Sequence, residues 1–284
     1  MKAQVKYLAI YRHKQNYPIA TMCKFFEVSR SGYYDFLKRK DKPDRDEALA
    51  RRIMECQKHS RKTYGYRRVH IWLERQGGNC SPKTVLRVMN KYSLLSEIRR
   101  RKRYKQMGQQ AHRYENILNR NFHADKPNQK WVTDISYIHT GQGILYLSAI
   151  RDLYDNSIVA YKIGTEQTAN LVLNTIREAR AKETVAAELQ LHSDQGFQYT
   201  SHAYYNLTQE YGITPSMSRR GNCLDNAMAE NFFSILKAEC INRQRIKDFA
   251  TANALIHDYI HFYNHERIQL NTKLTPIEKR HQSA

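Results

Sequence analysis

Three β-rich runs in close succession, WVTDISYI, GILYLSAI and NSIVAYKI, followed by alternating helical and strand patterns, constrain this chain more than any other feature. Each run is bounded by Gly, Asp or Asn, which reads as three consecutive antiparallel strands. TANLVLNTIREARAK then has helical spacing, ELQLHSD reads as a strand, SHAYYNLTQEYG as a helix, ITPSM as a short strand and LDNAMAENFFSILKAEC as a helix. The predicted order is β-β-β-α-β-α-β-α, an α/β unit. A last helix, from about Asp248 to His265, precedes a tail containing Pro276. No internal repeat or low-complexity segment interrupts the chain.

The residues ahead of this pattern differ in charge. Residues 1–124 hold 30 Lys and Arg against 10 Asp and Glu, whereas residues 125–284 hold 17 against 17, so the whole net charge of +20 lies in the first part. A one-sided basic module suits a polyanion, because each phosphate it neutralises releases condensed counterions. A merely basic surface or a membrane-surface binder is the alternative, but no long amphipathic anchor accompanies the charge. Two helical units fill this part. IATMCKFFEVSRSGYYDFLKRK reads as a helix-turn-helix or an ordinary helical hairpin, and in the first case Arg30, Ser31 and Tyr34 are candidate major-groove contacts. The second unit runs from about Arg45 to Lys91, and its third helix starts at SPKT with Ser81 as cap and Pro82 at the first position. Lys83 and Arg87 lie one turn apart on that helix as further DNA candidates. The run IRRRKRYK, with Arg99, Arg100 and Arg101, reads as a solvated linker that would clamp a phosphate backbone.

The five cysteines form no CxxC pair, and their odd number suggests reduced thiols. YLAIY is too short for an export signal, and ILYLSAI cannot span a bilayer. The expectation is a cytoplasmic protein, with no membrane partner, associated with the nucleoid.

Asp134 sits inside the strand WVTDISYI, where Asp is depleted, and alternation puts Val132, Ser136 and Ile138 on its face. Asp194 directly follows an apolar strand, at the carboxyl end where mixed α/β sheets place ligands, although SDQG is also a good turn. On a helical wheel Glu230 lies opposite a stripe of Met228, Phe232, Ile235 and Leu236, and shares its side with Asn226, Ser234 and Lys237. That side is either solvated or turned toward a site. Two Asp on strands and one Glu on a later helix can converge above a sheet edge and hold two Mg²⁺, hard cations that prefer carboxylate oxygen. Such paired ions serve phosphodiester displacement.

At these residues the chain resembles the bacterial DDE transposases of insertion sequence family three, specifically their second-frame product, and through them the retroviral integrases. Asp194 and Glu230 enclose 35 residues, as in the family's D-D(35)E spacing, and Lys237 occupies the basic position seven after the glutamate. WVTDISYI, HSDQGFQYTS, SMSRRGNCLDNAMAENFFSILKAE, FYNHERIQL and YGYRRVH all resemble family motifs. The resemblance implies a ribonuclease H-like catalytic core with a mixed five-stranded sheet, preceded by small all-α helix-turn-helix units. It further implies Mg²⁺ dependence, with Mn²⁺ as a substitute, and cleavage and joining of transposon ends without a covalent protein intermediate. Carried over by motif, Asp134, Asp194 and Glu230 would be the catalytic metal ligands and Lys237 a contact to the transposon end; Asn226, Arg219 and Arg220 join by position. The implied partners are double-stranded DNA, further copies of the chain on that DNA, and an upstream-frame product.

The sequence thus divides into a helix-turn-helix segment at 1–40, a second helical unit with its basic linker at 45–105, a catalytic core at 125–240, and a C-terminal helix and tail at 241–284. His257, His261 and His265 repeat every four residues, but they lie opposite Ala252, Ile256, Tyr259 and Tyr263, which gives them a surface role. The integrases' His-His-Cys-Cys zinc module is not visible. A non-catalytic DNA-binding regulator or repressor of the element, with structural acids, is the other reading.

Overall fold

The computed structural model describes residues 3–40, 44–98, 114–185, 188–220 and 222–282. It separates into two compact units, Met1–Arg52 and Ile53–Ala284. In the first, α1 (Ala3–His13), α2 (Ile19–Phe25) and α3 (Arg30–Lys40) enclose a small core of Ile10, Met22, Cys23 and Tyr33. The tight turn between α2 and α3 places Glu27 at φ 54°, and Val28 N–H closes it by donating to Cys23 O at 3.0 Å. The apolar patch that is too short for an export signal becomes α1, with Ile10 fully buried.

A fourth helix, α4 (Glu47–His59), runs across the boundary between the units. In the second unit, α5 (Tyr66–Arg75) ends at Gly77 with φ +72°, and α6 (Pro82–Lys91) starts as its sequence predicts. Ser81 Oγ accepts from Thr84 N–H at 3.1 Å, and Pro82 opens the helix where an N–H has no partner to lose. The alternating strand and helix pattern follows as β1 (Lys130–Thr140), β2 (Gly143–Asp152), β3 (Ile158–Gly164), α7 (Ala169–Lys182), β4 (Gln190–Ser193), α8 (His202–Glu210), β5 (Thr214–Met217), α9 (Ala227–Glu239), α10 (Phe249–His265) and α11 (Pro276–His281). Both the element order and the strand count agree with a ribonuclease H-like core.

Strand order is β3-β2-β1-β4-β5, antiparallel through β3, β2 and β1 and parallel through β1, β4 and β5. The central strand has apolar side chains on both faces, as a covered sheet requires. Trp131 joins Ile150, Val172, Ile176, Leu191 and Tyr204 in the larger core, while Val132 packs with Leu118, Ala124, Leu153 and Ala229 in the smaller one. Asp134 follows Val132 by two residues, so alternation turns it to the side where Ala229 of α9 packs.

Around α9 the wheel is rotated from its predicted setting. Residues 223–226 form a 3₁₀ turn, the α-helix begins at Ala227, and its buried stripe is Ala229, Phe232, Phe233, Leu236 and Glu239. Met228 and Ile235 are only half-buried. The cause is a second neighbour: α10 lays Tyr263 against Phe232, with ring centroids 5.1 Å apart, drawing the stripe sideways. Helix α10 itself buries Ala252, Ile256, Tyr259 and Tyr263 and exposes His257, His261 and His265, as expected.

The tail folds back on the second helical unit. Tyr64 Oη donates to Glu266 O at 3.0 Å and accepts from Ile268 N–H at 2.8 Å, and Arg68 Nε donates to Ile268 O at 3.0 Å. Arg75 also pairs with Glu278. Residues 53–98 therefore belong to the same compact unit as the core. Helix α11 carries a full capping box, Thr275 with Glu278 and Pro276 at the first position. The TPIE signature announces such a start in sequence.

Candidate active site

The parallel register sets two acids side by side. Pairing of β1 with β4 ends at Val132 opposite His192, so Asp134, two residues further along β1, stands near Asp194, the first residue past the end of β4. Asp134 Oδ1 accepts the N–H of Ile135 at 2.7 Å. Burial pushes its carboxyl well above the ordinary range, and the charges of Asp194 and Glu230 push it further; Lys237 opposes them. Asp194 is likewise raised by burial, against one stabilising bond from Gly196 N–H at 2.9 Å. Gly196 is needed for that approach, because a Cβ there would lie 3.0 Å from Asp194 Oδ1 and 2.9 Å from Gln198 Oε1.

Glu230 stands in the first turn of α9, where the helix dipole favours a carboxylate. Lys237 lies two turns on, half-buried, and holds its ammonium 4.7 Å from the ring centre of Tyr137. Burial lowers its pKa, and Asp134 counteracts that shift. Asp194, Glu230 and Lys237 thus all lie within electrostatic reach of Asp134. Among the described residues, no three His, Cys, Asp or Glu side chains are close enough to ligate an ion together. The donors are nonetheless all carboxylate oxygens, held half-dry with mutually opposing charges. A hard divalent cation suits them chemically.

Neighbouring side chains fix this frame. Tyr199, fully buried, shares a 3.2 Å hydrogen bond with Thr133 Oγ1 beneath the acids. His192 bonds Ser216 Oγ at 2.9 Å and Ser218 Oγ at 3.1 Å, and burial lowers its pKa to about 4, which keeps the ring neutral. Asn226 is buried, with Nδ2 3.4 Å from Thr133 O, and so ties the start of α9 to β1. Asp225, fully buried, accepts from Arg219 N, Nε and Nη2, from Arg120 Nε and from Asn116 Nδ2, all at 2.8–3.0 Å. Those donors hold its carboxyl far below the usual carboxylate range, Arg219 contributing most. Sequence reasoning did not single out Asp225, Arg120 or Asn116; the contacts of Arg120 and Asn116 with Asp225 cross about a hundred residues.

Arg219 is consequently half-exposed but engaged, while Arg220 is exposed. In the first unit Arg30, Ser31 and Tyr34 are all exposed on α3, and in the second Lys83 and Arg87 are exposed on α6. Arg99, Arg100 and Arg101 lie outside the described residues.

Comparison with known proteins agrees with this architecture. The HTH-like domain family matches residues 44–102, and two families described as integrase core domain match residues 124–223 and 230–283. Over 271 residues the chain is 38% identical to the putative transposase InsK for insertion sequence element IS150 of Escherichia coli (strain K12), spanning 95% of this chain and 96% of that protein. The chain belongs to the insertion-sequence transposases of family three. To another such transposase, InsF for insertion sequence IS3A of Escherichia coli (strain K12), it is 30% identical over 90% of this chain and 91% of that one. An uncharacterized transposase-like protein of Haemophilus influenzae is 42% identical over 71% of this chain and 93% of its own length. Among solved structures, the HTLV-2 integrase catalytic core domain in complex with magnesium superposes with a TM-score of 0.44 at 14% identity, covering 56% of the transposase and all of that domain. No helix among the described residues of the transposase is long and apolar enough to cross a membrane.

Proposed function

We propose that this transposase cleaves and joins DNA strands at the ends of its insertion sequence, with Asp134, Asp194 and Glu230 as the ligands of two divalent ions, Mg²⁺ or Mn²⁺. The observation that carries this reading is the pairing register of β1 with β4, which sets two half-buried carboxylates beside each other with Glu230 in reach. When bound, such ions activate the attacking hydroxyl or water and stabilise the leaving oxygen.

The chain's own groups have separate tasks. Gly196 N–H and Ile135 N–H fix the orientation of the two aspartates. Asn226 and Asp225 hold the approach to α9, and with it Glu230. Lys237 takes a phosphate of the strand being cut. Arg30, Ser31 and Tyr34 on α3, with Lys83 and Arg87 on α6, recognise the element's ends in duplex DNA. Joining two ends to a target calls for more than one copy on the DNA, and an upstream-frame product is a further partner.

A DNA-binding repressor with structural acids is favoured by one observation, that the three carboxylates do not yet form a closed ligand set. Activity separates the two. Glu230→Gln keeps shape and removes charge; with end DNA and Mg²⁺ it should bind as the wild type does and fail to cleave. Undiminished cleavage would overturn the catalytic assignment, and a wild type that binds ends tightly without metal-dependent cleavage would favour the repressor.

A further inference from the structure

Past Val132 the β4 side of β1 is unpaired, and α9 passes beside it. Between the far end of β1 and the residues that follow α9 lies a cleft of about 420 Å³, within the size range of small-molecule and nucleotide sites. Its walls include Tyr137, His139, Gly141, Lys237, Asn242 and Arg245. The end of the cleft is clipped shut: Gly141 N–H donates to Ile246 O at 2.9 Å, and a Cβ on Gly141 would meet Lys247 O at 2.4 Å.

Two features of this cleft are unexplained by packing. Tyr137 is 54% exposed although it sits in the central strand, and its ring is braced by the Lys237 ammonium at 4.7 Å and by the edge of His139 at 5.6 Å. Arg245 is exposed and forms no ion pair among the described residues. An exposed ring flanked by cations is the pairing used to hold single-stranded nucleic acid, since every base offers a π-face to stack and every linkage a phosphate.

Position specifies the part of the DNA concerned. Lys237 follows Glu230 by seven helical residues, about 10 Å along the axis, or about three nucleotide steps of a stacked strand. Lys237 thus bridges the acids and the ring. We propose that this cleft is a nucleotide-stacking subsite, in which Tyr137 receives an unpaired base within about three nucleotides of the scissile bond and Lys237 and Arg245 take the flanking phosphates. The subsite rests on the strand-cleavage reading, and it accepts an end whose terminal base pairs are already open.

The test uses the full chain without metal, so that binding is read apart from cleavage. The probe is a duplex carrying the terminal repeat, with its last three base pairs mispaired and 2-aminopurine at one of them, beside a fully paired duplex. Wild type, Tyr137→Phe and Tyr137→Trp should quench the probe on binding. Tyr137→Ala should lose the quench and bind the mispaired end on the order of 10-fold more weakly, with affinity for the paired duplex unchanged. Arg245→Ala should weaken both duplexes and lower the salt slope by about one. Wild-type quench and affinity in Tyr137→Ala, equal weakening on both duplexes, or a Phe variant that behaves like Ala would overturn the proposal. Thermal melting of each variant verifies its fold. Glu230→Gln should quench normally, so its cleavage assay can fail the parent reading while the stacking result stands.

Discussion

Arg219 grips Asp225 through Nε and Nη2, each at 2.9 Å, five residues ahead of Glu230. The arginine head is half-exposed, whereas the carboxylate is fully buried. This pair, with Arg120 on the other side, sets where the polypeptide enters α9. Asp225→Asn removes the charge on which five donors from three residues converge. Expected is a fall in the rate of end cleavage on the order of 10²-fold, the scale of a small misplacement of a catalytic group, with end affinity nearly unchanged. Single-turnover cleavage beside filter binding checks it. Because the folded Asp225 carboxyl is held below its ordinary pKa, its stabilisation is present above about pH 4 and fades as pH falls below that value.

His192 gives a second, separate acid window. Its folded pKa is lowered to about 4 from 6.5, so between those values the unfolded chain binds a proton that the folded one excludes. Stability is therefore complete above about pH 6.5 and declines toward pH 4, by about 3 kcal/mol for a shift of this size. Urea unfolding at pH 4.5 and 7 should show the loss. His192→Gln should flatten the slope between those pH values, and an unchanged slope would refute the assignment.

Gly196 has no room for a methyl group beside Asp194. Gly196→Ala is expected to displace the Asp194 carboxylate or its Gln198 neighbour, reducing cleavage on the order of 10²-fold while the protein stays folded and binds DNA. Cleavage rate and circular dichroism together read this out.

Much of the candidate site was legible because local rules expose it. An Asp within a strand run and an Asp closing the next apolar strand stood out against propensity, and the parallel register then joined them. Glu230 was legible as the polar side of a helix, but the wheel placed the buried stripe one residue off, since the packing of Tyr263 on Phe232 has no local signal. The same limit hid the buried ion pairs. Glu239 on α9 receives Arg267 Nε and Nη2 at 2.8 and 2.7 Å, and Tyr259 Oη at 2.7 Å. Arg280 reaches Asp152, Asp155 and Glu183 across about a hundred residues. In sequence these are ordinary charged residues; only the folded chain shows that each has a partner. The extra helix α1 was hidden for a different reason, its mixed polar and apolar faces giving weak periodicity.

The most direct measurement compares single-turnover end cleavage by the wild type with Asp134→Asn, Asp194→Asn and Glu230→Gln in Mg²⁺, with end affinity read in parallel. Each variant should bind the ends as the wild type does and cleave on the order of 10³-fold more slowly, the effect of losing several kcal/mol of metal-borne stabilisation. Wild-type cleavage by any one of the three would contradict the account.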